Sequence, residues 1–258
     1  PDELEYESLA FTPPVASDYR HVLPNGVVVY VVVDHELPLF AVQLLVRTGS
    51  YRDPPGKRGL ASLAGNQIRD GGTAQVVPSE FDEEVDFLAA RLGSSVGATS
   101  GGAQVSCLTK DLERCIDIFF DMLRDPGFAM ERLDLAQSRR LQGMGRRNDN
   151  TGGIEGREWS RLLYGSDHFT TRPTTQGSLE IISREDLVAF HRANFHPGAF
   201  MFAVSGDVDT DDILARLAQH LQGWEVPRGW SASEIPAPTH TVEPGLYITP
   251  DAKAAPRR

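Results

Sequence analysis

The sequence predicts an α/β (α+β) fold, with a mixed β-sheet and helices packed over it. Three observations predict this. Two β-branched runs, Val27 to Asp34 and Leu39 to Thr48, come early in the chain. Long segments with apolar residues at helical spacing follow them. A late strand-like run, Ala199 to Ser205, precedes one more amphipathic helix.

Composition sets the outer limits. The chain has 258 residues, 40% of them apolar and 24% charged, enough to build a large core. A formal charge of −11 opposes nucleic acid as a main partner, because phosphate binding needs a basic face. No run approaches the ~18 apolar residues of a membrane span. Cys107 and Cys115 give neither a disulfide framework nor zinc-type spacing, and read as buried small apolar residues.

Residues 1–19, acidic and then Pro-rich, read as an N-terminal arm. Leu23-Pro24-Asn25-Gly26 is a turn, since Asn-Gly supplies the positive φ that a hairpin needs. The two apolar runs that follow are nearly continuous, which predicts a sheet covered by helices on both faces. Arg58 to Asp70 is helical, with Leu60, Leu63, Ala64 and Ile68 on one side. Pro78 opens a second helix, expected to run to about Leu92, with Phe81, Val85 and Leu88 at helical spacing.

Ser94 to Thr99 and Ala103 to Leu108 read as paired strands around Gly101-Gly102. Asp111 to Arg124 is strongly amphipathic and is stopped by Asp125-Pro126-Gly127. Helices are expected from Met130 to Arg147 and from Ile154 to Tyr164. Ser183-Arg184-Glu185-Asp186 forms a helix cap, and Pro197-Gly198 ends that helix. Gly206-Asp207 turns into a last helix from Thr210 to Leu221. Residues 226–258 read as a linker with one short strand at Leu246 to Thr249. The main domain is thus 20–225.

Several pieces in fixed order carry a family resemblance. They are Leu23-Pro24-Asn25-Gly26 through Arg47-Thr48-Gly49-Ser50, Gly59-Leu60-Ala61-Ser62-Leu63-Ala64-Gly65-Asn66, and Asp121 to Phe128. Arg172-Pro173 to Gly177, Ile182 to Leu187, and Phe195-His196-Pro197 to Gly206-Asp207 follow. Together they resemble the N-terminal domain of the pitrilysin/insulinase (inverzincin) zinc metallopeptidases. That resemblance implies a domain like those of pitrilysin and the mitochondrial processing peptidase.

In active members the first helix carries H-x-x-E-H, two imidazoles for zinc and a carboxylate that activates water. A later Glu is the third ligand. The corresponding positions here are Ser62, Gly65, Asn66 and Gly143, and no H-x-x-E-H or H-E-x-x-H occurs anywhere in the chain. The resemblance therefore implies no metal ligands and no catalytic residues in this chain, with zinc only in a catalytic partner.

Other candidates are weaker. His191 and His196 are five apart, wrong for one helical face, and read as surface or cap residues. Asp167-His168 is too small a set for a metal. His21 and His35 flank strands and read as exposed. Ser62 lacks the G-x-S-x-G setting of a hydrolase nucleophile.

The family resemblance assigns Gly97, Ala98, Thr99 and Ser100 to an edge strand that pairs with peptide backbone, a contact that needs no metal. An ordinary edge strand blunted by glycines is the alternative.

The expected function is that of a non-catalytic subunit, or the N-terminal half of one. It pairs with an H-x-x-E-H-bearing homologous subunit or a second pitrilysin-type domain, and helps to hold peptide. A structural or assembly protein and a peptidase with a relocated site are the alternatives. A bacterial periplasm and a cytoplasm both suit such a chain.

Overall fold

The computed structural model describes residues 13–248. The two β-branched runs become β2 (Val28–Val33) and β3 (Leu39–Val46). Four strands join them: β1 (Arg20–Val22), β4 (Arg91–Val96), β5 (Gly101–Leu108) and β6 (Phe200–Gly206). They form one sheet in the order β1-β2-β6-β3-β5-β4. β6 runs parallel to β2 and antiparallel to β3, so the latest strand sits between the two early ones. The other pairings are antiparallel.

The helices are α1 (Leu60–Asp70), α2 (Pro78–Phe87), α3 (Leu112–Arg124), α4 (Met130–Gly145), α5 (Thr151–Tyr164), α6 (Gln176–Glu180), α7 (Arg184–Asn194) and α8 (Thr210–Leu221). α2 ends five residues before the expected Leu92. Ala89 takes a left-handed φ of 48°, which breaks the helical path, and Leu92 enters β4. α6 escapes a periodicity reading because it is short. Its signal is a capping box, in which Thr175 and Ser178 each accept from the other's backbone N–H at 3.1 and 3.0 Å. The expected cap at Ser183 is present in the same form, with Asp186 accepting from the Ser183 N–H at 2.9 Å.

One face of the sheet holds the core. Val29, Val31, Phe40, Val42, Leu44, Val105, Phe202 and Val204 are buried there, against Ile116, Phe119, Phe120 and Leu123 of α3 among others. The expectation of helices on both faces fails. On the opposite face Val32, Leu39 and Leu45 remain 44%, 47% and 41% exposed. Continuous apolar character reports that both faces are greasy. It does not report that this stretch of chain covers both.

Cys107 and Cys115 are free and buried, as read. Among the described residues no helix is long and apolar enough to cross a membrane. Beyond α8 the described residues form neither helix nor strand. The strand expected at Leu246 to Thr249 does not form over Leu246 to Ile248, and Thr249 lies outside the described residues, as does most of the N-terminal arm. The linker is nonetheless fastened. Trp224 meets Phe200 edge-on at 5.2 Å, and Trp230 meets His196 edge-on at 4.8 Å.

His191 and His196 are not surface residues; they are 6% and 1% exposed. His191 Nε2–H donates to the Leu123 carbonyl at 2.8 Å, tying α7 to the end of α3. Burial pushes its pKa down to about 4, against the pull of that carbonyl and of Asp125. The unfolded chain takes up this proton near 6.5, while the folded one resists until about 4. Stability is therefore full above pH 6.5 and falls between 6.5 and 4. His196 and His220, also pushed down by burial, contribute in the same sense. His191→Gln, whose amide donates to the same carbonyl, should shrink the loss between pH 7 and 5 by on the order of 2 kcal/mol. Thermal melts at both pH values test this; an undiminished loss contradicts it.

Candidate functional site

The site is built on the first turns of α1. Gly59 precedes the helix with a φ of 99°, left-handed backbone that favours glycine. Its N–H donates to Asp53 Oδ2 at 2.9 Å, and the Ala61 N–H donates to Oδ1 at 2.7 Å. Asp53 thus caps two orphan donors from six and eight residues upstream. Burial pushes its carboxyl above the usual range. The bonds from Ala61 and Gly59, and the charges of Arg58 and Arg140, oppose that rise.

Ser62 accepts a hydrogen bond from Arg140 Nη2 of α4 at 2.9 Å, and Arg140 Nη1 reaches the Gly59 carbonyl at 3.5 Å. Burial lowers the pKa of this guanidinium, and Asp53 raises it. A fixed organic cation therefore touches the first of the motif positions. Gly143 lies one turn beyond Arg140 on α4, exposed, with open space where a Cβ would stand. Asn66 is exposed.

Gly65 is the tightest point. A Cβ there would lie 2.3 Å from the Val96 amide nitrogen and 2.7 Å from the Ser95 carbonyl carbon, both backbone atoms of β4. The Ser94 hydroxyl donates to the Gly65 carbonyl at 2.6 Å and fastens the strand to the helix. Zinc does not fit this set. A hydroxyl, an amide and two glycines offer no imidazole, thiolate or carboxylate, and the position of the base is filled by strand backbone. Among the described residues no group of three or more His, Cys, Asp or Glu side chains is placed to hold a metal ion.

β4 is an edge strand of the sheet, as the sequence reading requires of the peptide-pairing strand. Its bounds are corrected: it ends at Val96, and Gly97, Ala98, Thr99 and Ser100 form the turn into β5. The Gly97 N–H donates to the Ser100 carbonyl at 2.8 Å, while the Gly97 carbonyl accepts from the Ser50 N–H at 2.9 Å. Gly97 and its local hydrogen bond to Ser100 close the turn before the extended run reaches Thr99.

His168 is not available as a ligand. Its Nε2–H donates to the Pro236 carbonyl at 3.0 Å, and its Nδ1 lies 2.7 Å from the Thr170 hydroxyl. His35, exposed as expected, pairs with Asp207 at 2.7 Å, and His21 is half-buried within β1. Asp53 and Arg140 were the residues missed. A search for metal ligands passes over an arginine, and Asp53 carries no helical register with α1.

This is a peptidase-type α/β domain, and its sequence matches say which. Residues 28–147 match the model described as Insulinase (Peptidase family M16), and residues 182–255 match Peptidase M16 inactive domain. The chain belongs to the M16 peptidase family.

An uncharacterised zinc protease of Mycobacterium leprae is 27% identical over 235 residues, 89% of this chain and 52% of that protein. A peptidase M16 inactive domain from Pseudomonas fluorescens shares the fold with a TM-score of 0.76 at 24% identity, over 85% of this chain and 53% of the other. The first half of the periplasmic protease PqqL from Escherichia coli does so with a TM-score of 0.72 at 16% identity, over 84% and 48%. The chain spans about half the length of the curated relatives it matches.

Rebuilding the motif should fail at Gly65 before it fails at the ligands. Gly65→Ala should destabilise the chain by about 1–3 kcal/mol, because backbone rather than a flexible side chain must give way. Ser62→His with Gly65→Glu, Asn66→His and Gly143→Glu should not hold zinc through dialysis. Melting curves and metal analysis check both. Tight stoichiometric zinc in the quadruple variant would show that β4 moves freely from α1.

Proposed function

We propose that this chain is a zinc-motif-lacking subunit, or the N-terminal half of one, of an M16-type peptidase. It pairs with an H-x-x-E-H-bearing subunit or with a second domain of the same kind, and helps to hold peptide. The observation that carries the reading is Gly65, where strand backbone stands in the place of a catalytic carboxylate. Zinc, on this reading, belongs to the partner. Without a metal-activated water the chain offers no evident nucleophile or base for peptide hydrolysis.

Two further features support pairing and peptide holding. The uncovered sheet face presents Val32, Leu39, Leu45 and Leu108 to solvent, an apolar patch that a partner would cover. β4 offers edge backbone for strand addition without any side-chain chemistry. On this reading a peptide would pair with the extended run Arg91–Val96 that leads into Gly97, Ala98, Thr99 and Ser100. The same apolar face also favours the second reading, a structural or assembly protein. A relocated catalytic site has less behind it, because His168 and His191 are committed to backbone carbonyls.

A stable pairing buries at least ~1,200 Å². Light scattering at micromolar concentration, with and without the H-x-x-E-H homologue from the same source, should show a complex. Leu45→Asp, on the uncovered face, should weaken it about tenfold or more with little change in the chain's own melting. A complex that includes the homologue and cleaves peptide supports the first reading. Assembly with proteins lacking the motif supports the second. A strict monomer that ignores the homologue overturns the partner role.

A further inference from the structure

A cavity of about 1510 Å³ opens between α5, the loop 165–172 and the linker, beside the capped end of α1. That volume exceeds the roughly 300–1,000 Å³ of a small-molecule pocket and suits a peptide segment. One wall is a run of rings: Tyr51 meets Phe169 at 5.9 Å, Phe169 meets His168 at 4.4 Å, and His168 stacks on Tyr164 at 5.3 Å. Trp159, on α5, lines the cavity and is 57% exposed.

Two guanidiniums, Arg58 and Arg172, also line it. Each is held by one backbone carbonyl. Arg58 Nη1 donates to Phe169 O at 3.3 Å, and Arg172 Nε donates to Asp167 O at 2.7 Å. Both keep further N–H donors, and among the described residues neither lies within ion-pair distance of a carboxylate. Burial lowers the Arg58 pKa, the charge of Arg172 lowers it further, and that of Asp53 opposes both.

The acids of the cavity make no ion pair with either guanidinium among the described residues, although the charge of Asp53 acts on Arg58. Asp53 spends both oxygens on the backbone of α1, and Glu158 pairs with Arg161 at 3.2 Å. In a chain of net charge −11, two arginines that line one cavity, make no direct ion pair and keep free N–H donors beside an aromatic wall can cradle an external carboxylate.

We infer that this cavity binds the free C-terminal carboxylate of a peptide between Arg58 and Arg172, with a bulky apolar or aromatic terminal side chain against the ring wall. The inference rests on the peptide-holding reading for the nature of its ligand. It differs from strand addition along β4, which reads backbone and is indifferent to how the peptide ends.

The test uses the full chain and short peptides ending in Phe, dye-labelled at the N-terminus, read by fluorescence anisotropy. The free acid should bind about tenfold or more tighter than the amide, the worth of a charge-assisted contact. Arg58→Gln and Arg172→Gln should each erase the difference while leaving the amide's affinity unchanged, and Arg172→Lys should restore part of it. Trp159→Ala should weaken acid and amide alike. N-acetylphenylalanine should displace the peptide where its amide does not, a readout that depends on no variant folding. Equal binding of acid and amide overturns this site and leaves peptide holding intact. No binding of either overturns both. A preference for the acid that survives both arginine substitutions overturns the assignment to this cavity.

Discussion

The contact of Gly65 with the backbone of Val96 is the constraint on which the site depends. Helix and edge strand approach to a distance that admits no side chain, and the Ser94 hydroxyl fastens them there. Loss of a ligand alone would leave a groove with weaker chemistry. Here the space between helix and strand is filled at the very position of the reactive group.

The electrostatics of the helix follow from the same change. In this chain the guanidinium of Arg140 and the carboxylate of Asp53 supply balancing charges to each other and to the helix end. The pair is covalently part of the fold and cannot be removed by a chelator.

Much of the fold was legible in the sequence, because its cues are local. The Ser183 box, the Pro78 start and the amphipathic α3 each announce themselves within one or two turns. The misreadings share a different character. The spacing predicts too long an α2 because Leu92 continues a helical periodicity that Ala89's backbone interrupts. The sheet was expected to be covered on both faces because apolar content does not name its covering. The burial of His191 and His196 escapes a local reading because their partners, Leu123 and Trp230, are far away in the chain. At the site, missing motif residues were readable as identities, but the replacement of a base by strand backbone is a matter of distance alone.

The place of β6 has a consequence for how this chain must be made. β2 and β3 are adjacent in sequence yet do not pair; they wait for a strand some 150 residues later to join them. Until Phe200–Gly206 arrives, β1 with β2 and β3 with β5 and β4 are two ribbons with open edges. Such long-range closure is slow to form and exposes unpaired backbone while it is incomplete. The segment 28–147, though recognisable by itself as M16, is therefore not a folding unit, and any boundary drawn ahead of β6 divides the sheet through its centre.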